Sequence, residues 1–103
     1  NKTMKEYVTE STFIDAFKQN DDRKNQFSYE GLKALYEYFE EYENDTGEEI
    51  EFDMIGICCE YTEYDNLKEL NNNYSKEYKD LEELRQETEV IIVTFDRFII
   101  RDF

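Results

Sequence analysis

Apolar positions recur along this chain with two different periods, and the change of period divides it into elements. Residues 1 to 10 carry no clear pattern and read as a loose arm or an edge strand. Phe13, Ile14 and Phe17 then recur at helical spacing, with Ser11 and Thr12 placed to cap the helix and Asp15 three residues after Thr12. The polar run Gln19 to Gln26 reads as a loop. The clearest element follows. Ser28 stands at an N-cap position with Glu30 in the first turn, and Leu32, Leu35, Tyr36 and Phe39 form an apolar stripe. Tyr42 and Glu43 continue near that stripe, and Gly47 suits the left-handed residue that ends a helix. The spacing predicts a helix over 28–46.

From residue 50 the period shortens. Ile50 and Phe52, then Ile55, Ile57, Cys59 and Tyr61, suggest one or two strands, with Asp53 at a turn or bulge between them. Met54, Ile55 and Cys58 also fit a short helix, so both readings stand. Asp65 is placed to cap a helix through Leu67, Leu70 and Tyr74, and Asp80 a shorter one through Leu81 and Leu84. Val90, Ile91, Ile92, Val93 and Phe95, followed by Phe98, Ile99 and Ile100, predict a hairpin turning at Asp96-Arg97 without the usual glycine. Those runs are apolar on both faces, so helices or loops are expected to cover both. The expected fold is α+β: a single compact domain over 1–103, with a small antiparallel sheet of about three strands and three or four helices.

Composition supports a folded chain. Its 103 residues suit one domain with one small core, and its nine Tyr and eight Phe are far more aromatic than disordered segments. No apolar run reaches about 18 residues, and no basic segment leads into an apolar one, so neither a membrane helix nor a secretion signal is expected. The expected setting is the cytoplasm. There is no His, which removes the commonest general base and metal ligand. Cys58 and Cys59 are adjacent, and a bridge between neighbours would strain the peptide joining them. Without a second pair or a His they cannot complete a zinc site, so buried, reduced thiols and no metal or cofactor are expected.

Charge adds the functional clue. The chain carries 27 acidic and 12 basic residues, a net −15. That excludes direct binding to nucleic-acid phosphates or to an anionic membrane. Twelve acids and no Lys or Arg lie between Lys33 and Lys68: Glu37, Glu40, Glu41, Glu43, Asp45, Glu48, Glu49, Glu51, Asp53, Glu60, Glu63 and Asp65. On the predicted helix, Glu30, Glu37 and Glu41 fall opposite the apolar stripe with Glu40 on their flank. Carboxylates one turn apart stand about 6 Å from each other, close to the spacing of phosphates along a nucleic-acid strand. Like charges so placed destabilise a helix. The stretch is therefore either a solvated acidic face or a surface for a basic partner. The candidate partner-binding residues are Glu37, Glu40, Glu41, Glu48, Glu49, Glu51 and Asp53, with Tyr38 and Tyr42 as anchors. Tyr61 and Tyr64 also lie within or beside the stretch.

Catalysis is not expected. A nucleophilic triad lacks its His, and no glycine-rich phosphate loop is present. Asp45-Thr46-Gly47 fails as a calcium loop, because Gly47 at position six puts Tyr42 at position one and Asp53 at position twelve.

Three segments carry a resemblance: Asn25 to Leu32 continuing through Leu35 to Glu41, Ile57 to Tyr64, and Arg97 to Phe103. Together they resemble a family of small acidic proteins encoded by phages and other mobile elements, over most of the chain after residue 12. In size, charge and α+β content the chain is also similar in character to anti-CRISPR inhibitors and DNA-mimic anti-restriction proteins. The resemblance implies a phage-type anti-defence inhibitor, an acidic DNA mimic occupying the basic nucleic-acid-binding cleft of a host defence nuclease, foremost a CRISPR effector. The alternatives are a generic acidic interaction module regulating a host protein, or a carboxylate-based enzyme.

Overall fold

The central strand of the domain is apolar on both sides, and the architecture follows from burying both. In a computed structural model that describes residues 9–103, the order is α1 (Glu10–Lys18), α2 (Tyr29–Thr46), α3 (Met54–Glu60), β1 (Tyr61–Tyr64), α4 (Leu67–Tyr74), α5 (Leu81–Arg85), β2 (Val90–Ile92) and β3 (Phe98–Arg101). The three strands form an antiparallel sheet in the order β1-β3-β2. Ile99 and Ile91 face one way and pack with α1, α2 and α3 through Phe13, Phe17, Leu32, Leu35 and Phe39. Phe98 and Ile100 face the other way and pack with Leu70 of α4 and Leu84 of α5. Each face is therefore covered by helices, as the two-sided apolarity of residues 90–100 requires. The result is a single α+β domain.

The caps account for most of the element boundaries. Ser28 Oγ accepts from Gly31 N, and Gly47 closes α2 at φ 73° in the left-handed region. Asp80 caps α5 through Glu83 N. Two caps lie one to three residues from the expected ones. Thr9, not Ser11 or Thr12, caps α1 by accepting from Thr12 N, so Glu10 opens the helix rather than ending an arm. Asn66 rather than Asp65 caps α4, because Asp65 is engaged by Arg97. Of the loose arm or edge strand expected over residues 1 to 10, residues 1–8 lie outside the described residues.

Two further expectations change. Residues 54–60 form a helix, not a strand, which brings the helices among the described residues to five. Asp53 Oδ1 accepts from Gly56 N at 3.0 Å and caps this helix. Met54, Ile57, Cys58 and Tyr61 then face the core at a period near 3.6, while Ile55 and Cys59 turn to solvent. The third strand is Tyr61–Tyr64, directly after that helix. The hairpin turns one residue earlier than expected. Ile92 pairs with Phe98, and the backbone N–H groups of Val93 and Thr94 both donate to the Arg97 carbonyl, putting Phe95 and Asp96 at the tip. This register frees the Arg97 side chain to reach β1 and beyond.

One contact joins the layers. Glu63 on β1 is 4% exposed in its side chain. It accepts from Ser28 N at 2.9 Å and Ser28 Oγ at 2.7 Å, 35 residues away in sequence, and from Arg97 at 3.0 Å. A capping box ordinarily takes its second carboxylate from the third helical residue. That residue here is Gly31, and Glu63 supplies the carboxylate from the sheet. A Cβ on Gly31 would lie 2.1 Å from Glu63 Oε1, so the glycine makes room for it.

Two stability predictions follow from this packing. Leu35 is fully buried, and Leu35→Ala is expected to lose about 2–5 kcal/mol in urea unfolding; a loss below about 1 kcal/mol would show that the site is not core. Gly31→Ala is expected to cost about 1–2 kcal/mol by displacing Glu63 from its charged hydrogen bonds. In a Glu63→Ala background the same change should be neutral or stabilising, since alanine favours helix. Equal costs in the two backgrounds would show that Glu63 is not the obstacle.

Candidate protein-interaction face

Folding divides the twelve clustered acids into two groups. Four are internal or paired. Glu43 is 1% exposed, and its Oε2 accepts from Ile50 N, so it fastens the loop after α2. Among the described residues its Oε1 has no hydrogen-bond partner. Glu63 is held as described above. Arg97 also bonds Asp65 at 2.9 Å, and Arg101 stands 3.7 Å from Glu60. The stretch lacks its own cations but borrows two from the C-terminal hairpin. The hydrogen bond that Arg97 donates to Glu63 is the main reason that its guanidinium is held above its ordinary value.

The other eight stay exposed: Glu37, Glu40, Glu41 and Asp45 on α2, and Glu48, Glu49, Glu51 and Asp53 in the segment leading to α3. All seven carboxylates proposed from the sequence belong to this group. Asp53 has a second task, since one of its oxygens caps α3. From residue 34 onward, the exposed positions of α2 and the following loop form a continuous strip of chain without a single Lys or Arg.

The tyrosines differ among themselves. Tyr42 is 43% exposed and is available to a partner. Tyr38 is half-buried, packs against the core and meets Phe39 edge-on at 5.4 Å. Tyr61 and Tyr64 are buried in the two cores and present no contact surface. Tyr38 and Tyr42, one turn apart, line a shallow cavity of about 270 Å³ together with Glu41, Asp45 and Glu89. Glu89 comes from the approach to β2 and is an addition that residue spacing along α2 could not supply. A second cavity lies beside the loop, where Glu51 and Asp53 meet Phe39, Ile50 and Ile57.

The remaining reactive groups are quiet. Cys58 is buried and Cys59 exposed, and both are free thiols, so only one of the pair matches the expected burial. Burial pushes the Cys58 thiol up, partly offset by Arg23. Among the described residues no group of three or more His, Cys, Asp or Glu is arranged to hold a metal ion. No described helix is long and apolar enough to cross a membrane. No protein-family model, curated protein or solved structure matches the chain.

Burial pushes Tyr36 and Tyr38 up to about 12; Tyr36 also hydrogen-bonds Glu40, and Tyr38 faces the charge of Glu89. An unfolded tyrosine ionises near 10, so above that pH the unfolded chain loses these protons first. The stability that comes from keeping both phenols neutral is full below pH 10. It falls between 10 and 12 and is gone above. The urea midpoint is therefore expected to drop across that window. Tyr36→Phe with Tyr38→Phe should flatten the drop, and an unchanged pH profile in the double variant would contradict the assignment.

Proposed function

We propose that this protein is an inhibitor that acts by binding, with the acidic strip of α2 and the following loop occupying a basic nucleic-acid-binding cleft on a target protein. The single observation that carries this reading is the set of eight exposed carboxylates on one uninterrupted run of chain. A solvated surface segment ordinarily mixes signs, as Lys76 to Glu87 does here. Holding like charges together costs helix stability, and a cationic groove would repay that cost through steered association and charge complementarity. Tyr42 supplies exposed aromatic area within the same strip.

The phage-type anti-defence setting, with a defence nuclease such as a CRISPR effector as the target and the bacterial cytoplasm as the site of action, follows the resemblance of residues 25–41, 57–64 and 97–103. The mode of action is competition with DNA for the cleft, without catalysis. A generic acidic module binding a basic protein tail would share the charge but not the competition.

The experiment is a binding assay against candidate nucleases with a DNA-competition arm. Affinity is expected to fall at least about tenfold between roughly 50 and 200 mM salt, and DNA should displace the protein. Salt-independent binding that DNA does not compete would overturn the reading. Glu37→Lys with Glu41→Lys should leave native circular dichroism intact and abolish inhibition. A folded double variant with full inhibition would remove the α2 face from the interface.

A further inference from the structure

The acidic strip contains a depression whose walls are not acidic. Beside the loop after α2 there is a cavity of about 170 Å³. Its walls include Phe39 of α2, Ile50 of the loop, Ile57 of α3 and Tyr61 at the start of β1. Phe39 and Tyr61 are buried and meet edge-on at 5.6 Å, giving the cavity a rigid back. Ile50 is fastened through its N–H to the buried Glu43 carboxylate, so that wall is also held in place.

The rim has the opposite character. Glu51, Asp53 and Glu60 line the same cavity. Glu60 is shared with Arg101 at 3.7 Å. Asp53 uses Oδ1 to cap Gly56 N. Glu51 and Asp53 are both exposed, and among the described residues neither forms an ion pair. An apolar recess with an anionic mouth suits an occupant that is apolar along its length and cationic at its end. It disfavours a purely apolar side chain, which would desolvate the rim carboxylates without compensating them. It equally disfavours a small cation, which would leave the walls wet.

We propose that this cavity is a socket for one lysine side chain of the partner protein, with its four-carbon stem against Phe39, Ile50, Ile57 and Tyr61 and its ammonium at Glu51 and Asp53. Lysine is favoured over arginine because its head is a compact point charge that needs no planar, bidentate arrangement of acceptors. The long stem of such a residue covers apolar surface while the charge stays at the water boundary. This inference rests on the reading of the strip as a surface for a basic partner, and it adds a position where charge alone does not decide the contact.

The test uses the intact protein and short, otherwise uncharged peptides that carry lysine, norleucine or diaminopropionic acid at one central position, followed by NMR titration. Norleucine keeps the stem and removes the charge; diaminopropionic acid keeps the charge and shortens the stem. The lysine peptide is expected to shift the signals of Ile50, Ile57 and Tyr61 saturably, and both analogues to bind at least about tenfold more weakly. Glu51→Gln with Asp53→Asn should weaken the lysine peptide at least about fivefold; asparagine still caps α3, so the fold is kept. Glu37→Gln with Glu41→Gln removes the same charge elsewhere on the strip and should change affinity less than about twofold. Norleucine or diaminopropionic acid binding as tightly as lysine overturns the socket, as does the absence of shifts at its walls. Equal weakening by the two double variants also overturns it, while leaving the acidic strip as a basic-partner surface. Specific lysine binding without DNA-competed binding to any nuclease would instead sustain the socket and reject the cleft-blocking reading.

Discussion

A buried carboxylate on the sheet, Glu63, holds the first turn of the longest helix, and the presentation of the acidic strip depends on it. Helix α2 carries Glu37, Glu40, Glu41 and Asp45 on exposed positions with no cation on the helix after Lys33. Such a helix gains little from ion pairs of its own, since Glu40, Glu41 and Asp45 have no Lys or Arg one turn away. It is stabilised at its N-terminus, where Glu63 satisfies Ser28 and places a negative charge against the positive end of the helix dipole. Arg97 then compensates the buried charge and ties it to Asp65. Three segments far apart in sequence meet at one carboxylate: the helix start, the edge strand and the hairpin turn. Removing any partner would leave a buried charge or a buried donor unsatisfied, which costs more than the net value of the contact.

The same pairing explains how a net −15 is arranged. The hairpin cations are placed against Glu60, Glu63 and Asp65, at the sheet end of the acidic stretch. Among the described residues neither forms an ion pair with Glu37, Glu40, Glu41, Asp45, Glu48, Glu51 or Asp53. Arg97 thus compensates Glu63, the carboxylate of the stretch that is buried on the sheet, and Asp65 beside it.

Much of the fold was legible because it depends on local chemistry. Ser28, Gly47, Asp80 and the apolar spacing of Leu32, Leu35 and Phe39 act within one or two helical turns, and each does in the structure what its type suggests. Residues 50–61 were ambiguous because a short apolar run satisfies both periods; the cap at Asp53 decides for helix. The turn at residues 94–97 was displaced because its register answers to the ion pair of Arg97 with Glu63, a contact across 34 residues. The one local hint of that contact was Gly31, a poor helix former at the position where a capping box carries Glu. On the candidate face, the exposed acids were readable from helical phase. Glu89 beside Tyr38 and the recess behind Glu51 were not, since both need tertiary neighbours.

The strand order has a consequence for the path by which the protein folds. Among the described residues strand β1 pairs only with β3, and the chain between them, which includes α4, α5 and β2, must close as one loop before that pairing exists. Contacts of this separation are slow to form because the chain entropy is lost before the contact energy is gained. The contact of Glu63 with the start of α2 forms once β1 is seated, and among the described strands it is β3 that pairs with β1. During synthesis α2 therefore leaves the ribosome with α1 and its own Ser28 cap available, but before Glu63 and Arg97 can hold its first turn. An incomplete chain carries the charge of the finished protein's strip without the contact that fixes the start of its helix.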